Sequence, residues 1–282
     1  MQYEDNPRSI KFYVKRYLHE NKQLFKGKTV VDFPAGNGVT TKILQNIEAH
    51  PVPLDLFPEY FRLEDIECIK ADIDKGLPLE NATADALVCQ EGIEHFSDQL
   101  GAFREFNRLL KKQGTLLITT PNYSNIQAKL SYLVAENEKY NAKMPPNEID
   151  SIWMSDQDQE ENIYFGHAFL IGIQKLRLLA KLSGFKIKKI HPTRVKKTSL
   201  LWFPVFYPFI LLSNKIALYK NFKQKKNGEA SNRKAVYKEL YKLAVNPRIL
   251  LDSHLMIEFI KEKEEDEQRS ALRGIHAEFG IT

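Results

Sequence analysis

Residues 30–38 run Val30-Val31-Asp32-Phe33-Pro34-Ala35-Gly36-Asn37-Gly38. An apolar, β-branched run ends in an acid. A proline and two glycines follow, and a helical pattern then opens over 39–47. Glycines at such a junction let the backbone approach a ligand closely, and a helix N-terminus presents unpaired N–H groups. The spacing is not the dinucleotide pattern G-x-G-x-x-G, because position 41 is Thr41 rather than glycine. Asp32 closing the first strand suits a ligand with cationic groups, since a carboxylate offsets an ammonium or a sulfonium. Taken alone, the same residues also fit an ordinary strand–helix turn with Asp32 capping backbone amides.

Working outward, a repeating pattern appears. Strands are expected over 28–33, 49–55, 67–72, 84–90 and 115–120, with helices over 7–24, 39–47 and 98–111. Strands alternating with helices predict a parallel, doubly wound sheet. Val30-Val31 and Leu116-Leu117-Ile118 are apolar on both faces, as buried parallel strands are. Further helices are expected over 125–139 and 173–183, the latter stopped by Gly184. Strands are expected over 185–190 and 254–260. Residues 141–162 read as a polar, acidic loop, and the tail from Lys261 as a solvated helix.

Two more acids fall at strand ends. Asp55 lies at the end of the second strand, where an acid can accept both hydroxyls of a ribose. Asp72 ends the third, where a carboxylate can accept from an exocyclic adenine amine. The carboxyl ends of strands are where open α/β sheets bind ligands.

Residues 28 to about 122 resemble a class I S-adenosylmethionine-dependent methyltransferase. The resemblance rests on the opening stretch, Ala71-Asp72, Leu77-Pro78 before the fourth strand, Glu94-His95-Phe96, and Gly114 through Thr119-Thr120-Pro121-Asn122. The 176–185 helix and strand are also similar to the family. The resemblance implies a seven-stranded, mostly parallel Rossmann-like sheet whose seventh strand, 254–260, is antiparallel. It implies S-adenosyl-L-methionine as cofactor. Gly36 and Gly38 would line its methionine portion, Asp55 would hold its ribose, Asp72 and Ile73 would meet its adenine, and Gln90 would lie near its sulfonium end; Asp32 and Pro34 complete the expected cofactor-binding set. Pro34 stands where the family has its first loop glycine.

For the chemistry, His95 is the expected general base and His167 the second candidate, since neutral imidazole accepts a proton near pH 7. Glu91-x-x-Glu94-His95 also matches a pattern that holds a divalent metal in quinone O-methyltransferases of the superfamily. The Glu–His pair is widespread in metal-independent relatives, so the set Glu91, Glu94 and His95 stands second to a metal-free site. Methyl transfer to an oxygen of a hydrophobic or lipid-linked small-molecule or glycan acceptor is the expectation. The alternatives are a nucleotide-dependent oxidoreductase on a similar sheet and an inactive cofactor-binding module.

The chain has 282 residues, 43% hydrophobic and 27% charged, which excludes a disordered chain, a collagen-like repeat and a disulfide mini-scaffold. The net charge of +5 is unevenly placed. Residues 186–242 carry fifteen Lys or Arg against Glu229 and Glu239, leaving the rest of the chain acidic. Within that segment, 198–214 holds no charged side chain and is rich in aromatics, with lysines on both sides. Interrupted by Pro204 and Pro208, it reads as an interfacial segment on anionic lipid over 196–226, or as a lid over the substrate. A nucleic-acid surface is not expected. Organisation follows as an N-terminal helix (1–27), a cofactor-binding core (28–195), a hydrophobic-basic insertion (196–250) and a last strand with a charged tail (251–282). Cys68 and Cys89 read as buried thiols of a reducing compartment, and the polar N-terminus as no signal peptide, so a cytoplasmic chain is expected, with the inner membrane face as its place of attachment.

Overall fold

The structure is a computed structural model and describes residues 3–137, 139, 143–153, 164–223 and 230–278. In chain order come α1 (Ile10–Glu20), α2 (Lys22–Phe25), β1 (Thr29–Asp32), α3 (Val39–Asn46), β2 (His50–Asp55), β3 (Ile69–Lys70) and β4 (Ala84–Gln90). Then follow α4 (Gln99–Leu109), β5 (Leu110–Pro121), α5 (Ile126–Ala135), β6 (Ile152–Trp153), β7 (Tyr164–Phe165), α6 (Ile173–Leu182) and β8 (Phe185–Ile190). The chain continues with α7 (Lys197–Lys223), α8 (Ala230–Ala244), α9 (Pro247–Leu251), β9 (His254–Lys261) and α10 (Glu265–Glu278).

Seven strands form one sheet in the order β3-β2-β1-β4-β5-β9-β8. Pairings from β3 to β5 are parallel, and β9 runs antiparallel to both β5 and β8. The strand order reverses between β1 and β4, which places the crevice for a ligand at their carboxyl ends. Side chains alternate across this sheet. Val31, Leu87, Leu116 and Ile257 pack into the core under α4 and α6, where Phe103, Phe106, Phe185 and Phe259 are buried. Val30, Val88, Leu117 and Met256 face the other way, onto α1 and α3. Burying each such large apolar side chain contributes roughly 1.5–3 kcal/mol, so both faces of the sheet are held firmly.

The expected doubly wound sheet is what the chain forms, with local differences. α1 begins at Ile10, where the Ser9 hydroxyl accepts from the Lys11 amide, and not at Pro7. β3 is only two residues long, because Asp72 leaves the ladder to accept from the Asp74 amide and cap a short turn. β5 starts at Leu110, five residues earlier than expected. Part of the expected 141–162 loop lies outside the described residues, but Ile152–Trp153 pairs with Tyr164–Phe165 as a small antiparallel ribbon. Cys89 is buried as expected, whereas Cys68 is only half-buried.

α7 departs most. Pro204 and Pro208 do not interrupt it: the helix is continuous for 27 residues. The two prolines are four residues apart and exposed. The N–H donors they remove are therefore missing from the outer side of the helix rather than from its packed side. The N-terminus of α7 is tied to α5: the Ser199 hydroxyl donates to Asn125 Oδ1 (3.3 Å) and accepts from the Gln127 amide (3.1 Å).

Candidate active site

The end of β1 and the glycine turn are cross-braced. Asp32 is fully buried; its Oδ2 accepts from the Thr41 hydroxyl at 2.6 Å, while Oδ1 has no hydrogen-bond partner among the described residues. Burial, aided by the nearby Asp55, pushes the Asp32 carboxyl up to about 7. Gly36 (φ 54°) and Gly38 (φ 86°) are both left-handed, a conformation that favours glycine. A Cβ at Gly36 would meet only open space, whereas one at Gly38 would crowd Phe61 and Leu63 at 3.0 Å. The Gly36 amide donates to Asp55 Oδ2 (2.7 Å) and the Phe57 amide to Oδ1 (2.9 Å), so Asp55 fastens the turn to the end of β2.

Beside this turn lies a cavity of about 350 Å³. Asp55, Asp72, Ile73, Pro34, Glu91 and His95 are on its wall, with a mostly aromatic lining from Phe33, Phe57, Phe96 and Tyr164. Of the residues expected around the cofactor, Pro34, Asp55, Asp72 and Ile73 are therefore brought together. Asp32, Gly36, Gly38 and Gln90 are not on its wall; Gln90 Oε1 accepts from the Thr40 hydroxyl at 3.2 Å. The volume is in the range of small-molecule sites. The donor set suits S-adenosylmethionine: carboxylates for the nucleoside, aromatic faces for the base, and a buried carboxylate oxygen without a partner behind a turn that leaves room at Gly36.

Pro34 has a consequence that no sequence pattern signalled. A Cβ on Gly92 would fall 2.4 Å from Pro34 Cδ and 3.1 Å from Cys89 Sγ. The ring at 34 therefore requires glycine at 92, where the chain leaves β4.

His95 sits at the end of a short 3-10 turn, Ile93–His95. Its Nδ1 lies 2.8 Å from the Phe165 carbonyl oxygen. A carbonyl only accepts, so Nδ1 carries the proton and the lone pair is on Nε2. Burial, and secondarily His167, hold the His95 pKa below its ordinary value. The His167 ring stands 5.1 Å from the His95 ring, centroid to centroid. His167 lines a second, larger cavity of about 780 Å³ with Tyr123, Tyr132, Met144 and Lys143. The two histidines, one on each cavity wall, are thus in contact. Gln99 holds this junction by donating to the carbonyls of Ile93 (2.9 Å) and Phe169 (2.7 Å). The Phe169 amide in turn donates to the Glu94 carbonyl at 3.1 Å. The aromatic ribbon residues and Gln99 were not legible as site residues, because they come from a segment without periodicity and from a helix turn that reads as packing.

The expected metal set is not gathered as such. Glu91 has φ 51°, which turns it off the following 3-10 turn. Its Oε1 accepts from the Thr119 hydroxyl (3.0 Å) and its Oε2 lies 3.4 Å from His254 Nε2. Instead Glu94, His95 and His167 bring one ligand atom each to within 4.8 Å of one another. Glu94 is buried and accepts from the Thr120 hydroxyl at 3.0 Å.

Comparison with known proteins identifies the family. A family model described as a methyltransferase domain matches residues 4–190. The ubiquinone biosynthesis O-methyltransferase of Xanthomonas campestris pv. campestris is 26% identical over 129 residues, covering 43% of this chain and 53% of that protein. The protein of the same name from Xylella fastidiosa is 31% identical over 119 residues, covering 39% and 48%. The chain spans about half the length of the curated relatives it matches. In fold it is similar to a SAM dependent methyltransferase from Archaeoglobus fulgidus, with a TM-score of 0.52, 14% identity and coverage of 92% of this chain and 98% of that one. The nucleotide-dependent oxidoreductase alternative gives way to the methyltransferase match. With the family model covering most of the chain, and the order of its seven-stranded sheet in keeping with it, the chain belongs to the methyltransferase-domain family as a class I S-adenosylmethionine-dependent methyltransferase.

Proposed function

We propose that the chain methylates an oxygen of a hydrophobic small-molecule or lipid-linked acceptor, with His95 as the base. The observation that carries this reading is the position of His95, on the cofactor cavity wall and against His167 of the larger cavity. When bound, S-adenosylmethionine supplies a methyl group activated on a sulfonium. Asp55, Asp72 and Ile73 would hold its nucleoside. The work of this chain's residues is then to orient the acceptor and take its proton. His95 suits proton removal, because the Phe165 carbonyl fixes the tautomer and burial keeps the ring neutral near pH 7. Tyr123, Tyr132 and Met144 give the larger cavity apolar surface, while Lys143 and Asp150 add charged groups to its wall. That mixture suits an aromatic or isoprenoid-bearing hydroxyl compound. The O-methyltransferase names of the partial relatives support the oxygen assignment.

The test is transfer of labelled methyl from S-adenosylmethionine to phenols, catechols and amines of matched size. His95→Gln should lower kcat by roughly two to four orders of magnitude, the usual range for a general base, with S-adenosylhomocysteine affinity kept. Amine methylation unaffected by His95→Gln would refute the proposal. An inactive module would bind S-adenosylhomocysteine and transfer label to no acceptor.

A second reading rests on the Glu94, His95 and His167 cluster. In it a divalent cation would orient an acceptor oxygen, and His95 would be a ligand rather than the base. Activity that survives exhaustive chelation excludes it; activity restored only by added Mg²⁺, Mn²⁺ or Zn²⁺ favours it.

A further inference from the structure

We propose that α7 lies in the surface of an anionic lipid bilayer, with its outward apolar stripe in the headgroup boundary. The stripe is formed by Leu201, Val205, Phe209, Leu212, Ile216 and Tyr219, which are 71%, 50%, 67%, 58%, 46% and 60% exposed. Their spacing of three and four residues places them on one side of a helix. At 1.5 Å per residue the stripe is about 27 Å long. Contiguous apolar surface of this kind marks an interaction site.

The opposite side of α7 is occupied. Phe203 stacks on Tyr207 at 4.4 Å, the Tyr207 hydroxyl reaches the Val245 carbonyl (3.3 Å), and the helix packs on α5, α8 and α9. No residue of α7 lines either cavity described above. The stripe therefore forms no part of either cavity wall, which argues against a lid.

Charge selects the occupant. From Lys197 to Lys223 there is no acidic residue, and Lys196, Lys197, Lys215 and Lys220 lie towards the two ends. The expected basic segment continues to Lys226, outside the described residues. Lysines flanking an apolar helical face match anionic headgroups around a hydrocarbon boundary. A second copy fits less well. An isologous antiparallel pairing would set the lysines at one end against the partner's lysines at the other. Spanning the bilayer fits less well too, although α7 is long and apolar enough by length and composition. Its anchor to α5 and its packing on α8, which carries Arg233, Lys234, Lys238 and Lys242, would pull charged surface into hydrocarbon.

The placement also bears on the acceptor, a consequence that rests on the acceptor class proposed above. Tyr132 and Met144, 51% and 73% exposed, stand on the wall of the larger cavity, and Leu133 and Val134 beside them are also exposed. α5, which ends in Val134-Ala135, is packed on α7. Membrane docking would bring this apolar rim close to a lipid-dissolved acceptor.

Membrane binding is measured without any methyl transfer, so its failure and that of the acceptor assignment are separate results. The full chain is sedimented with vesicles of phosphatidylcholine alone and of phosphatidylcholine with phosphatidylglycerol. Binding is expected to the anionic vesicles, to weaken with salt, and to be weak on phosphatidylcholine alone. Lys215→Glu with Lys220→Glu should lower the partition coefficient at least roughly fivefold per lysine. Phe209→Ser with Leu212→Ser should abolish sedimentation. Both pairs are exposed, and unchanged thermal midpoints will show the fold intact. Absence of binding to anionic vesicles, or binding that survives both double variants, overturns the proposal. So does a lipid-independent dimer that Phe209→Ser with Leu212→Ser dissolves while vesicle binding is absent.

Discussion

Replacing Asp55 by Asn separates a turn residue from a cofactor ligand. A carboxylate offers about four acceptor positions. Two are taken by the Gly36 amide at 2.7 Å and the Phe57 amide at 2.9 Å, and Asp55 lies on the cofactor cavity wall. The remaining two match the two hydroxyls of a ribose. Asparagine brings a single acceptor oxygen, and its NH₂ faces one of the backbone donors. One amide is then left without a partner, at a cost of about 1–3 kcal/mol in stability. Loss of a hydrogen bond between the ribose and the carboxylate costs about 1.5–3 kcal/mol more in binding, or roughly 10- to 150-fold in Kd. Calorimetric titration with S-adenosylhomocysteine, beside thermal unfolding of the free chain, reads the two effects separately. The expected result is both a lower Tm and a weaker Kd. A variant that melts lower yet binds within twofold of the parent would remove Asp55 from the cofactor's ligands, leaving it as a brace for the glycine turn alone.

Three further outcomes are expected. Gly92→Ala should cost about 1–3 kcal/mol by overpacking, because a methyl there meets the rigid Pro34 ring at 2.4 Å; Gly92→Ala combined with Pro34→Gly should recover most of the loss in a denaturation series, and no recovery would disprove the pairing. The pH profile of kcat/KM should rise with pH and level off, with its acid limb below 6.5, since the proposed base is the neutral form of His95 and burial lowers its pKa; a limb above 6.5 that persists in His95→Gln contradicts the assignment. Asp32 retains its proton up to about 7 in the folded chain against an ordinary value of 3.8, so stability is lost as pH rises through that window. Asp32→Asn, measured without cofactor, should therefore melt higher than the parent at about pH 8 and close to it at about pH 4; equal midpoints at both would show that Asp32 is not strained by its burial.

The parts of the fold that were legible are those fixed by local pattern. Val30-Val31 and Leu116-Leu117-Ile118 could only be buried strands, and the acids closing β1 and β2 and following β3 then had to fall at one edge of the sheet. What escaped depends on tertiary neighbours. Glu91 is left-handed, so the i, i+3, i+4 spacing of Glu91, Glu94 and His95 never becomes a shared face, and His167, 72 positions after His95, takes the place beside it. Gln99 reads as an ordinary helix residue until its amide is seen holding two carbonyls. Gly92 is required only because Pro34 stands next to it in space. The prolines of α7 suggested a break, and the helix runs through because both lie on its exposed side.

The most direct measurement is to incubate the chain with methyl-labelled S-adenosylmethionine and a membrane-lipid extract, and to locate the label in the product by NMR. Oxygen-linked methyl is expected, formed by the parent and lost in His95→Gln while that variant still binds S-adenosylhomocysteine. Label on nitrogen or carbon, or equal labelling by a His95→Gln chain, would contradict the account.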